Sequence, residues 1–170
     1  MSISVIGEHQ ALMNALNGQR AHIFKALDGV DDEALHRGML PSGWSCLGLV
    51  NHLALDVERF WFQAVVAGND VVIDQMRNSS HSAWEVGTDV STESVLDVYR
   101  RNIDRADRII ATASLDGSPS WWPTQMFGTW RVDTVREIVL HVVCETATHA
   151  GHLDAARELI DGTQHLVLTE

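Results

Sequence analysis

Glu145, His149 and His152 follow one another at steps of four and three residues within a stretch whose other members at that spacing are Val135, Ile138, Val142, Ala156 and Leu159. That spacing is the seam a helix turns toward a core, and three polar residues interrupt it. A carboxylate and two imidazoles placed in an apolar seam cost on the order of several kcal/mol unless something pairs them. Glu145 and His149 lie one turn apart on one face, so both side chains can reach a single divalent ion, a chemistry that imidazole and carboxylate donors suit. A hydrogen-bonded network without an ion is the alternative reading of the same residues.

An earlier segment carries the complementary feature. Ser45, Gly48, His52, Asp56, Arg59 and Gln63 form a thin polar line on a helix that is otherwise apolar, from Leu47 and Val50 to Phe60 and Trp61. Such a line faces either solvent or an internal hydrated cavity. In the second case His52 packs opposite Glu145 and His149, bringing two imidazoles and one carboxylate together inside the fold. His141, one turn before Glu145, flanks that face, whereas His9, His22, His36, His81 and His165 have no ligand-like partner at useful spacing and read as surface or capping residues. The chain has no Gly-rich phosphate loop, no Gly-x-Ser-x-Gly elbow and no Cys-x-x-Cys.

Four long segments with helical periodicity position these residues. The first covers about 4–27, with Met13, Leu16, Ile23 and Leu27 on one stripe and an exit at Asp28-Gly29. The second opens at Ser45, a suitable N-cap, and runs to Gly68. The third starts near Ser91 or Thr92 and turns Val95, Val98, Ile103, Ala106, Ile109 and Ala113 inward. The fourth starts at Thr134, which forms a capping box with Glu137, and reaches Ile160. No strand-like alternation competes, and the pattern predicts an all-α four-helix bundle in one domain, residues 1–170. The connection from Gly68 to Val90 is long for a bundle and reads as a binding loop or crossover. Four of the six tryptophans fall in loops or at their edges, as lids over the bundle ends or as walls of a substrate pocket.

Composition narrows the function classes. With 45% hydrophobic and 21% charged residues the chain can build a full core. Its 23 acidic residues against 12 basic ones give a net charge of -11, which disfavours nucleic acid and anionic membranes as partners. No uncharged stretch is long and apolar enough to cross a bilayer, and no secretory signal is visible at the start of the sequence, so a cytoplasmic location is expected. Cys46 and Cys144 sit among apolar neighbours and are expected to be buried, reduced thiols.

The segments GWSCLGLVNHLALDVERFWF and TVREIVLHVVCETATHAGHLDAARELIDG, taken together, resemble the DinB-like superfamily of four-helix metalloproteins. That superfamily includes the metal-binding domain of mycothiol-dependent maleylpyruvate isomerase and bacterial low-molecular-weight thiol S-transferases. The resemblance implies that His52, Glu145 and His149 bind a divalent metal, zinc or nickel, with His152 outside the inner ring of ligands. It implies a metal-dependent transferase that joins a small thiol such as mycothiol to an electrophilic small molecule. Asp56 and Arg59 would then orient the thiol or the imidazole. A metal-dependent hydrolase and a non-catalytic metal- or ligand-binding stress protein are the rival readings, and the oligomeric state is left open, a homodimer included.

Overall fold

The computed structural model describes residues 7–165. Helix α1 (Glu8–Leu27) is followed by a short α2 (Asp32–His36) and by α3 (Cys46–His52), which runs without a break into a π-helical stretch, π1 (Leu53–Val66). After α4 (Asp70–Arg77) come α5 (Thr92–Thr112), the one-turn α6 (Thr124–Phe127) and the longest helix, α7 (Val135–Asp161). The four long elements form the expected all-α bundle: π1 packs chiefly on α5 and α1 on α7, and α7 closes the bundle against π1.

The ends follow the local chemistry. Ser45 Oγ accepts from Gly48 N at 3.0 Å, and Ser91 Oγ accepts from Ser94 N at 3.3 Å. Thr134 and Glu137 cap each other at the start of α7, and Gly162 ends that helix with φ 76°, a left-handed value open to glycine at little cost. The expected start of α1 at residue 4 lies outside the described residues.

Three expectations need correction, on the long connection, the α7 seam and Cys144, and one buried ion pair was not foreseen. The long connection after Gly68 contains α4, whose side chains Val72 and Ile73 are buried. Arg20 occupies the α1 stripe between Leu16 and Ile23 and is buried, because Glu58 of π1 receives its guanidinium in a two-pronged ion pair, Nε to Oε1 at 2.7 Å and NH2 to Oε2 at 2.6 Å. In α7 the buried line runs Val142, Thr146, His149, Leu153, Ala156, while Glu145 is half-buried and His152 and Leu159 are exposed. A strict three-and-four repeat drifts around a straight α-helix by about 20° per heptad, which carried the expected seam off the core. Cys144, expected from its apolar neighbours to be buried, is exposed, because it turns to the helix face opposite the buried Val142 and Thr146, whereas Cys46 is buried as expected.

Candidate metal centre

His52 ends α3, where the backbone passes into the wider π-helical winding. Its Nδ1 faces Asp56 Oδ2 at 3.0 Å. A proton donated there leaves Nε2 as the ring atom with a free lone pair, and Nε2 points across the bundle to α7. Glu145 Oε1 lies 3.9 Å from His52 Nε2 and 3.3 Å from His149 Nε2. His149 is buried, and its Nδ1 lies 3.4 Å from His152 Nδ1. Both imidazoles therefore present Nε2 to one carboxylate oxygen, and each has its other nitrogen occupied from behind.

The charges at this point agree with the geometry. Contacts from His149 and then His52 hold the Glu145 carboxyl well below its ordinary range, despite an opposing effect of burial. Burial acts to lower His52, but Asp56 and Glu145 outweigh it and the ring is raised. His141 is lowered by burial, against the pull of Glu145. Ligand atoms of His52, Glu145 and His149 all lie within 4.8 Å of one another. Donors bound to one ion at about 2.0–2.2 Å sit roughly 3–4 Å apart. The two separations from Glu145 fall in that interval, and the chemistry of the donor set fits a small divalent cation.

Trp84, one of the loop tryptophans read as lids or as pocket walls, forms a wall of the site. Its ring stacks on His52, centroids 4.3 Å apart and 19° from parallel, and meets the edge of His149 at 5.6 Å. The loop is drawn in by Asn51, whose Nδ2 donates to Ala83 O at 2.8 Å. It can approach only because residue 48 is glycine: a Cβ there would stand 2.3 Å from the Trp84 carbonyl oxygen. Beyond Glu145, His141 lies edge-on to Trp61 at 4.6 Å and beside Trp130 at 5.6 Å, with Phe127 stacked on Trp61.

Arg59 does not join His52. Its guanidinium donates to Gln75 of α4 and lines a cleft between π1, α4 and α5. A π-helix closes its hydrogen bonds one residue later than an α-helix, so each residue turns through a smaller angle. Seven residues beyond His52, that difference has rotated position 59 to another face. Asp56, one turn away, stays beside the imidazole.

His22 and His165 also have partners. His22 Nε2 lies 2.8 Å from Asp154 Oδ1, and the His22 and His165 rings are 3.9 Å apart, making a second, more peripheral group of potential ligands. Residues so far apart in the chain leave no local spacing to notice.

Among family models, that for mycothiol-S-transferase matches residues 11–162, a span that includes all of the residues from Ser45 to His152 that build this centre. No curated protein and no solved structure gives a significant match. The family match covers nearly the whole helical bundle, and on that evidence the chain belongs to the mycothiol-S-transferase family.

Proposed function

We propose that the protein is a metal-dependent transferase that couples a low-molecular-weight thiol of the mycothiol type to a small electrophile. The observation that carries this reading is the convergence of His52 Nε2, Glu145 Oε1 and His149 Nε2, in a chain of this family. These three residues would hold a divalent cation, zinc or nickel. Two neutral imidazoles and one carboxylate leave such an ion with a net charge of about +1, which lowers the pKa of an incoming thiol and favours the thiolate at neutral pH.

The chain's own groups do the positioning. Asp56 fixes the ring of His52 through Nδ1, and His152 backs His149 in the same way. Trp84 covers one side of the pair and limits the entry of water. On the far side of Glu145, the surface made by Trp61, Trp130 and His141 offers an aromatic wall on which an apolar electrophile can rest. In the transfer itself the thiolate sulfur forms a bond to the electrophilic carbon. The leaving group departs with the electron pair of the broken bond, and the proton lost by the thiol passes to water.

The test combines metal analysis of protein purified without chelator with initial rates on a chlorinated aromatic electrophile. Mycothiol, bacillithiol, glutathione and no thiol are run in parallel, before and after chelation. The expected result is turnover that requires both metal and mycothiol and is lost in His52→Ala and Glu145→Ala. Thiol-independent turnover of a hydrolysable substrate would instead favour a hydrolase. Metal-loaded protein with rates equal to the uncatalysed thiol reaction would overturn the transferase reading.

A further inference from the structure

The chain has eleven arginines and a single lysine in a molecule of net charge -11. Among the described residues, Arg20, Arg77, Arg100, Arg131, Arg136 and Arg157 each have a carboxylate within salt-bridge distance. The other five do not, and four of these five, Arg59, Arg101, Arg105 and Arg108, line one open cleft of about 850 Å³. Among the described residues, no Asp or Glu lines that cleft. With 23 carboxylates in the chain, chance pairing would be expected to neutralise some of the four.

The cleft is built by three elements. Arg101, Arg105 and Arg108 stand at steps of four and three on α5 and so share a face, where like charges repel. Arg59 comes from π1, brought to this side by the π-helical winding, and its guanidinium is held by Gln75 of α4. Burial chiefly, and then the charge of Arg105, push the Arg59 guanidinium below its ordinary value. Beneath them Gln63 Nε2 donates to Asn102 Oδ1 at 2.8 Å, both side chains being buried. That bond makes a rigid polar floor. None of His52, Glu145 and His149 lines the cleft.

We propose that this cleft is a binding site for a small polyanion, a molecule bearing two or more phosphate or carboxylate charges, separate from the metal centre. Guanidinium groups present forked donors that match both oxyanions, and four from two helices can surround a ligand that a single surface arginine could not hold. The acidic remainder of the surface repels anions elsewhere, so the cleft is where a polyanion would settle.

Isothermal titration of the full chain at low ionic strength, with inorganic pyrophosphate and with citrate, tests the site and distinguishes phosphoryl from carboxylate ligands. The expected result is saturable binding of at least one of them at about one per chain. Arg101→Gln and Arg105→Gln combined should weaken it by roughly tenfold or more. Both side chains are exposed, and circular dichroism checks that the fold is kept. Arg37→Gln, which removes the fifth unpaired arginine outside the cleft, should leave binding unchanged, and so should His149→Ala. Absence of binding by both anions, equal binding in the double variant, or loss in His149→Ala would each overturn the proposal.

Discussion

His52 is clamped from two directions at once: its flat face lies on the Trp84 indole at 4.3 Å, and its Nδ1 edge meets Asp56 at 3.0 Å. These contacts come from different parts of the chain and fix different degrees of freedom, ring tilt in one case and ring rotation in the other. Asp56→Asn should therefore weaken zinc binding by roughly 10- to 100-fold, the range found when a partner behind a metal-binding histidine is lost. The variant keeps the shape of the side chain, so its melting temperature should hardly change. Competition against a fluorescent zinc chelator measures the affinity. An affinity equal to that of the unaltered protein would show that Asp56 does not orient the ring.

His149 and His152 should separate in the same assay. His149 Nε2 faces Glu145, whereas His152 is exposed and reaches the group only through the nitrogen behind His149. His149→Ala is expected to abolish stoichiometric metal, and His152→Ala to reduce affinity while leaving bound metal detectable at saturating zinc. Equal losses would place His152 among the ligands.

The long helices and the pairing of Glu145 with His149 were legible because each signal is local. Apolar spacing, the Thr134–Glu137 capping box and the i, i+4 pair Glu145–His149 all lie within a few turns of one helix. Trp84 was not legible, since the stack on His52 depends on a glycine at 48 and a hydrogen bond from Asn51, which mean nothing until the loop is folded back. Arg59 was misplaced for another reason. Side-chain spacing assumes α-helical winding, and from Leu53 the chain does not wind that way. The buried Arg20 left no local signal, because its partner, Glu58, lies on a different helix.

That buried pair leads to a prediction about stability. Glu58→Ala leaves the Arg20 guanidinium nearly without solvent, with only Asn17 and the partly exposed Asp107 as partners. Removing the one fully buried partner of a buried charge costs about 3–5 kcal/mol. Replacing both residues together, Arg20→Met with Glu58→Leu, should recover most of that loss. Urea denaturation of the two single variants and the double variant checks it, and a strictly additive double variant would show that the two charges act independently.

The capping box should make the start of α7 sensitive to acid. The Glu137 carboxylate accepts from the backbone N–H groups of Asp133 and Thr134, both at 2.9 Å, and these bonds hold it below its ordinary 4.5. A carboxyl lowered on folding contributes stability that is present above its unfolded value and is lost as pH falls through its folded value. Glu137→Gln retains a capping side chain but does not titrate. The melting temperature of the unaltered protein should therefore fall more steeply than that of the variant between about pH 5 and pH 3. Parallel curves would remove Glu137 from the acid response.

The two cysteines of the chain bear on which sulfur reacts. Cys46 is buried and its thiol is pushed up to about 11, chiefly by burial, so it holds its proton and is shielded from reagents. Cys144 is exposed, but it directly precedes Glu145 and so points about 100° around α7 from the carboxylate. A disulfide reagent at pH 8 should thus titrate about one thiol per folded chain and about two after denaturation. Cys144→Ser should leave metal content and thiol-dependent turnover unchanged, because the attacking sulfur belongs to the added thiol. If Cys144→Ser instead abolishes turnover while zinc stays bound, the nucleophile is the protein's own, and the roles given to the small thiol and to the aromatic wall beside His141 would have to be exchanged for a covalent mechanism on α7.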